Sequence, residues 1–414
     1  MEQAAPTTAT AIRLPIPRWE FIALCAALMA LNSLAIDIML PALQQIGGSL
    51  GVENENHRQY VITAYILGFG GAQLFFGPLS DRFGRRPPLI VGLAIYILAA
   101  GAAAVAPSFA TLLACRLVQG IGAAATRVIA VSIVRDTFEG RRMAEVMSLI
   151  FMVFMAIPVV APGIGQFVML FASWHFIFVA MALGALVISA WAVLRLPETL
   201  HPEYRRPLTA EAILGGFGIV LTNRVALCYA LASTFTFAAM FGFINSSQQI
   251  YVGIYGVGEM FPVIFACVAG MIALANFANA RLVGRIGMRR LSQGALLAFL
   301  GISLLWLVLS LAGQIPLLLF IAIFASAMIP FAMLGSNFNA LAMEPLGALA
   351  GTASSVLGFM QTFLGGLLGT MIGQAFDGTV TPLAVGFCLV SLGALAAVLV
   401  AERGRMFQPH NPRV

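Results

Sequence analysis

The chain has 414 residues, of which 61% are hydrophobic and 9% are charged, and its formal net charge is +6. Soluble domains are about 45–50% apolar and about 25% charged, so this composition excludes a soluble fold and makes lipid the solvent for most of the chain. All 22 basic residues are arginine. The absence of lysine excludes a P-loop ATPase and a lysine Schiff base.

The remaining reactive side chains exclude further classes. The four histidines lie in or beside polar breaks, and the five cysteines are scattered singly through apolar runs. This spacing provides no metal, haem or disulfide framework, and no Ser/His constellation is visible. We therefore expect no cofactor, no bound metal and no enzymatic activity.

Residues 1–18 hold three prolines and a threonine cluster and are predicted to form a short cytoplasmic leader. The first apolar run is too long for the h-region of a cleaved signal peptide. From there the chain contains twelve apolar segments of spanning length, about 20 residues each, which we number as spans one to twelve. Their predicted bounds are 19–41, 59–79, 88–106, 109–134, 144–171, 174–195, 224–248, 261–280, 290–312, 315–342, 349–373 and 380–401.

The arginines predict the orientation. With both ends in the cytoplasm, 19 of the 22 arginines fall inside, Arg58 falls outside, and Arg116 and Arg127 lie within a span. This distribution obeys the positive-inside rule, and a miscounted span would scramble it. The asymmetry therefore supports twelve spans and two cytoplasmic termini.

The longest inside break, residues 196–223, divides the chain into two six-span bundles, 19–195 and 224–401, with a tail at 402–414. Short repeats support a duplication, because three tripeptides recur about 203–208 residues later. They are Arg82-Phe83-Gly84 with Arg285-Ile286-Gly287, Gln44-Gln45-Ile46 with Gln248-Gln249-Ile250, and Ile164-Gly165-Gln166 with Ile372-Gly373-Gln374. Duplicated halves predict a binding site at their interface, near mid-membrane.

Three charges are predicted inside spans and away from the span ends: Asp37, Arg116 and Arg127. A charge in a span is costly, so each should face a cavity or a partner. Asp37 and Arg116 lie roughly 10 Å and 8 Å to the outer side of their span centres, so the two could meet. Arg127, eleven residues after Arg116 on the same face, lies too deep to reach Asp37. It could line the substrate path or extend to the cytoplasmic headgroups.

Four motifs resemble the major facilitator superfamily. The loop Gly77–Pro87 resembles its signature loop, and Arg116–Ala124 in span four resembles its Arg-x-x-Gln-Gly motif. The segment Pro158–Gly165 in span five is similar to the antiporter motif of the family, with Ala161 in place of the usual glycine. Asp37-Ile38-Met39-Leu40-Pro41 in span one resembles the Bcr/CflA group of drug:proton antiporters. In the second half, Gly284 stands where Asp81 would repeat, so the second gate has no matching acid.

The resemblance implies an all-α membrane protein with twelve transmembrane helices in two pseudo-symmetric six-helix bundles. It implies a cytoplasmic gate motif, whose residues are Gly77, Asp81, Arg82, Gly84, Arg85, Arg86, Arg135 and Asp136. It also implies that the antiporter motif bends span five and tightens packing between the halves, through Pro158, Pro162, Gly163 and Gly165. Proton coupling is assigned to Asp37 with Arg116.

The second half has no charge inside a predicted span away from the span ends, so it should contribute aromatic and amide side chains. The predicted substrate cavity combines both halves. Its residues are Ser33, Asp37, Arg116, Gln119, Arg127, Phe235, Phe237, Phe241, Asn245, Asn337 and Gln361. Two cavity arginines against one aspartate favour neutral, zwitterionic or weakly anionic amphiphiles over strongly cationic ones.

We predict a monomeric exporter in the bacterial inner membrane that exchanges protons for small amphiphilic drugs by alternating access. Its energy source is the proton gradient, its partners are drug, proton and lipid bilayer, and no nucleic acid is involved. A major facilitator importer or exporter of a specific metabolite is the nearest alternative, and the span five motif argues against an importer. A receptor or channel is more remote, because it explains neither the two halves nor the charged loop.

Overall fold

The computed structural model describes residues 16–138, 140–205, 215 and 218–408, and throughout this part of the chain the regular structure is helical. Eleven helices are long and apolar enough to cross a membrane, and the described part of a twelfth includes the apolar helix Ala156–Phe171. The spanning helices are Arg18–Asp37, Tyr60–Phe83, Arg86–Ala103, Phe109–Thr137, Gly140–Phe171, His175–Arg195, Arg224–Gln248, Phe261–Ile286, Met288–Ala312, Leu317–Met343, the pair Ala350–Phe359 and Gly365–Gln374, and Thr381–Ala401. A short helix, Leu43–Ser49, follows span one.

The helices match the twelve predicted spans, but several extend further. Span two continues to Phe83 and span eight to Ile286, although the apolar criterion ended them at 79 and 280. Polar and charged residues at the headgroup level keep helical backbone, which a hydropathy criterion cannot detect. Span eleven is interrupted by a π-helical turn at Met360–Leu364, and span seven continues into another at Gln249–Ile254.

Local signals set the helix ends. Ser108 and Asn223 cap spans four and seven by accepting the backbone N–H of Thr111 and Ala226. Such caps satisfy amide groups that the first turn leaves without partners. Gly84 has a φ of 92° after span two, where an L side chain would be strained.

The spans pack as two bundles. In the first half, span four packs against spans one, two and three, and span six against span three. In the second half, span seven packs against spans ten, eleven and twelve, and span nine against spans ten and twelve. The halves meet where span two packs on span eleven and span five on span eight. The duplication relates these two contacts between the halves. The space between the two contacts, at the centre of the interface, is available for a binding site.

The two ends of the bundle differ in charge. We call the end with the loop around Arg85 the arginine-rich side, and the end with Asn56 and Asp377 the arginine-poor side. Most of the leader predicted at 1–18 and the centre of the linker predicted at 196–223 lie outside the described residues. The bounds of those two segments therefore stay predictions.

Candidate functional site

Span one brings Asp37 to its arginine-poor end as a buried carboxylate. Asp37 is 4% exposed, and Ser33, one helical turn earlier, donates a hydrogen bond from Oγ to its Oδ2 at 3.2 Å. The spacing of four residues stacks the two side chains on one face, as the sequence predicts. Within the described residues, no arginine forms an ion pair with Asp37.

Arg116, from span four, is fully buried and ties three helices together. Its guanidinium donates to the carbonyls of Val61 at 3.1 Å and Ala35 at 2.9 Å, and to Gln119 Oε1 at 2.7 Å. It also lies 4.5 Å from the centre of the Tyr65 ring. Arg116 therefore holds the backbones of spans one and two against span four.

The expected contact between Asp37 and Arg116 is wrong for this arrangement. The depth was predicted correctly, because Arg116 reaches span one only two residues before Asp37. The direction was not, because two residues turn a helix by about 200°, so Asp37 projects from the opposite side. Gln119 binds Arg116 and lies against the Met181 sulfur, so it supports the arginine.

A cavity of about 290 Å³ lies at the interface of the halves and reaches the arginine-rich side. The first half contributes Gln73, Asp81, Arg127 and Arg135 among other residues, and the second half contributes Asn339, Ser354, Ser355 and Gln361. Of the predicted cavity residues, Arg127 and Gln361 line it. Asp81, Arg135 and Gly77 were predicted only as gate residues, and they also line it.

The other predicted cavity residues lie elsewhere. Asp37 and Ser33 lie nearer the arginine-poor end of span one, and Arg116 and Gln119 are occupied between helices. Phe235 packs against Gly393 of span twelve, Phe237 against Gly365 of span eleven, and Phe241 against Gly369 of the same span. The ring of Phe235 approaches Gly393, whereas the Cβ atoms of Phe237 and Phe241 approach the glycines of span eleven. None of the three lines the 290 Å³ cavity.

The amides of the second half are similarly divided. Asn337 donates to Asn279 Oδ1 at 2.8 Å and so joins spans ten and eight. Gln361 donates to Ser233 Oγ at 2.8 Å and lies 3.4 Å from Asn339 Oδ1. Asn245 is fully buried beside Gly373, and neither atom of its amide has a hydrogen-bond partner within the described chain.

The loop after span two is built around Arg85, which is 2% exposed. Its guanidinium donates to Asp81 Oδ1 at 2.6 Å, to Asp136 Oδ2 at 2.6 Å and to Ser80 Oγ at 2.9 Å. Burial lowers the pKa of Arg85, but the hydrogen bonds and charges of Asp136 and Asp81 outweigh it and raise that pKa overall. Arg85 is therefore a charged centre that joins spans two and four.

Glu198, after span six, completes this loop. Its carboxylate accepts the backbone N–H groups of Arg85 at 2.8 Å and Arg86 at 3.1 Å, where span three begins. A side chain at Gly84 would meet that carboxylate. Arg86 donates to the Val193 carbonyl at 2.6 Å, and Arg82 is exposed. Every contact named here stays within the first half, so the predicted role in closing the gate between the halves stays a prediction.

The second half has a matching acid cluster, contrary to the expectation from Gly284. Arg289, 204 residues after Arg85, donates to Glu344 Oε2 at 3.0 Å and lies 3.3 Å from Glu402 Oε1. Tyr229 also donates to Glu402 Oε1, at 2.7 Å. Glu344 stands 208 residues after Asp136, so the repeat offset could have revealed it. Glu20, in the first turn of span one, was also overlooked, and it binds Arg195 and Trp191.

On the arginine-poor side, uncharged groups join the halves. Asn56 donates to the carbonyls of Gln374 at 3.0 Å and Phe376 at 2.9 Å, and Gln374 donates back to the Asn56 carbonyl at 2.6 Å. Gln249 donates to Asn56 Oδ1 at 2.6 Å and accepts from Gln59 at 2.8 Å. We call Asn56, Gln59, Gln249 and Gln374 the amide seal.

Thr63 and Thr370 add a 2.9 Å hydroxyl contact to the same interface. Sequence reasoning did not select the amide seal, although Gln249 and Gln374 lie in two of the repeated tripeptides. The halves are thus joined on the arginine-poor side and enclose a cavity toward the arginine-rich side.

The antiporter motif lies inside helix Gly140–Phe171, where Pro158 and Pro162 are helical. A side chain at Gly165 would collide with the Ile38 carbonyl of span one, so this glycine tightens packing within the first half. Gly163 faces open space and lines an apolar groove of about 660 Å³ between spans five and eight. The expected tight packing between the halves is therefore wrong for Gly163, because no residue of span eight fills the space beside it.

Comparisons with known proteins identify the family. The family model described as Major Facilitator Superfamily matches residues 22–370. A bicyclomycin resistance protein homolog of Haemophilus influenzae is 32% identical over 389 residues, covering 92% of this chain and 96% of that protein. The multidrug resistance protein MdtL of Escherichia coli is 30% identical over 344 residues, covering 83% and 85%.

Among solved structures, a bacterial homolog of the human lysosomal transporter Spinster, in an inward-facing and occupied conformation, has a TM-score of 0.71 at 15% identity. The alignment covers 96% of this chain and 99% of that one, and it supports the fold alone. The matched model, the two halves and the motif loop lead to one conclusion: the chain belongs to the Major Facilitator Superfamily.

Proposed function

We propose that the protein exports small amphiphilic drugs in exchange for protons, by alternating access across the bacterial inner membrane. The observation that carries this proposal is the cavity between the halves, which reaches the arginine-rich side while the amide seal closes the other. The bicyclomycin resistance and multidrug resistance relatives support drugs as the cargo. The positive-inside rule supports a cytoplasmic arginine-rich side, with both termini there.

In this proposal Asp37 carries the proton. It is buried, it accepts one hydrogen bond, and no described arginine neutralises it. Burying a lone charged carboxylate is costly, so a protonated Asp37 can stay buried in the arrangement described here. Loss of the proton favours a second state, in which water reaches Asp37 on span one. Arg116 takes a supporting role, because its hydrogen bonds fix spans one and two to span four.

Span one can link proton and cargo. Met29 lines the 290 Å³ cavity, Ser33 lies one turn further, and Asp37 lies one turn beyond Ser33. A change of charge at Asp37 therefore acts on the helix that also forms the cavity wall. The cargo is neutral, zwitterionic or weakly charged, and the protein acts as a monomer.

The test is proton-driven efflux in inverted membrane vesicles, with bicyclomycin and a panel of amphiphilic antibiotics. Asp37→Asn should abolish pH-driven transport while the purified protein still unfolds at the wild-type temperature. Asp377→Asn, which changes an exposed carboxylate on the arginine-poor side, is the matched control. Normal pH-driven efflux by Asp37→Asn would refute the coupling role, and wild-type vesicles that export none of the panel would refute the export of drugs.

A further inference from the structure

Arg127 presents an unpaired guanidinium to the cavity between the halves. It lies on the cavity wall formed by span four, and the centre of the Phe69 ring is 5.9 Å from its guanidinium carbon. No hydrogen bond or ion pair joins it to another residue in the described ranges. Arg116, eleven residues earlier on the same helix, has three hydrogen-bond acceptors.

The rest of the cavity wall is polar but provides little negative charge. Asp81 is the one carboxylate among its described residues, and it already accepts a 2.6 Å hydrogen bond from Arg85. Arg135 adds a second positive charge at the exposed rim. The wall opposite span four contributes hydroxyl and amide groups, from Ser354, Ser355, Asn339 and Gln361.

An arginine within a membrane is costly unless it is paired, so an unpaired one facing a cavity marks a place for a ligand. The guanidinium fork matches a carboxylate, which can accept two parallel N–H donors. The volume of about 290 Å³ is near the lower end of the range for small-molecule pockets. A small ligand with one acidic group fits these features better than a cation does.

We propose that Arg127 binds the carboxylate of the exported compound, so that acidic and zwitterionic amphiphiles are the preferred cargo. The proposal rests on the proposed function for the direction of transport, but it concerns recognition alone. The buried Phe69 ring lies beside the Arg127 guanidinium. Ser354 and Ser355 lie on the facing wall of the cavity. Arg127 is thus the specificity-determining residue of the cavity.

The test compares an acid with its ester. Purified wild-type protein is titrated with norfloxacin, which carries a carboxylate, and with its methyl ester, which does not. The acid should bind roughly tenfold or more tightly, as expected for hydrogen bonds to a charged group. Arg127→Ala should remove that preference while leaving the affinity for the ester within about threefold, and Arg127→Lys should restore part of it.

Arg281→Ala is the matched control, because Arg281 also lies over a phenylalanine ring, at 4.4 Å, but does not line the cavity. It should keep the preference of the wild type. Equal binding of acid and ester by wild-type protein, or no binding of either, overturns the proposal, as does an unchanged preference in Arg127→Ala. Because binding is measured without a gradient, its outcome is separate from that of the efflux test.

Discussion

Replacing Arg116 should weaken the fold of the first half. Arg116→Ala removes three buried hydrogen bonds, so the carbonyls of Ala35 and Val61 lose the arginine as a donor. Polar contacts between membrane helices average about 0.6 kcal/mol and reach about 1.7 kcal/mol, and charge-assisted ones lie at the upper end. Two of the three bonds join helices, because Gln119 lies on span four itself. They correspond to a loss of about 1–3 kcal/mol in the free energy of unfolding.

The assay is thermal unfolding of the purified protein in one detergent, with Arg127→Ala as the matched control on the same helix. Arg127 has no hydrogen bond to lose within the described chain, so its removal should leave stability unchanged or slightly higher. Arg116→Lys should fall between wild type and Arg116→Ala, because an ammonium cannot reproduce the fork geometry. An unfolding temperature of Arg116→Ala equal to that of wild type, or an equal loss in Arg127→Ala, would show that the network does not hold the helices.

Three further outcomes are expected. Asp81→Asn should slow drug efflux without removing drug binding by the purified protein; complete loss of binding would show that the loop is more than a gate. Gly77→Val should impair transport, because an added Cβ would lie 2.9 Å from the hydroxyl oxygen of Ser355 in span eleven. The control is Gly101→Val, which should be neutral in the same efflux assay because a side chain at Gly101 would meet open space. Gln249→Ala should loosen the amide seal and increase labelling of a cysteine placed at Thr63 by an impermeant maleimide added from the arginine-poor side. Unchanged labelling there would argue against the seal.

The number and orientation of the helices were predictable because both follow from how a chain crosses a lipid bilayer. Apolar length and the positions of the arginines determine how many helices cross and which ends they share, and neither needs tertiary contacts. The family motifs then identified the loop around Arg85, whose acids at Asp81 and Asp136 are four and 51 residues away in sequence.

The cavity was less predictable, because depth along a helix is readable from spacing but direction is not. Asp37 and Arg116 were placed at one level and face different ways. The phenylalanines of span seven were chosen by residue type, and they pack against glycines of spans eleven and twelve that a single-helix pattern does not connect. The sequence left open whether Arg127 lines the substrate path or extends to the cytoplasmic headgroups. Its position on the cavity wall distinguishes the two.

The second acid cluster was missed for another reason. The expectation followed one position, where Gly284 replaces Asp81. Both halves place acids around an arginine, and in the second half the acids come from the ends of spans ten and twelve, at Glu344 and Glu402. Comparing the halves by their offset across the whole chain, instead of within one motif, would have identified both.

The chemistry of the amide seal has a consequence for working conditions. A proton-driven exporter in the proposed orientation keeps its seal toward the acidic side of the membrane, where pH and salt vary most. Amide and hydroxyl groups do not titrate between pH 5 and 8, and salt screens ion pairs far more than neutral hydrogen bonds. The hydrogen bonds among Asn56, Gln59, Gln249 and Gln374 thus keep their strength across changes of external medium. Acidification can then act on Asp37, the proposed proton carrier, without opening the barrier.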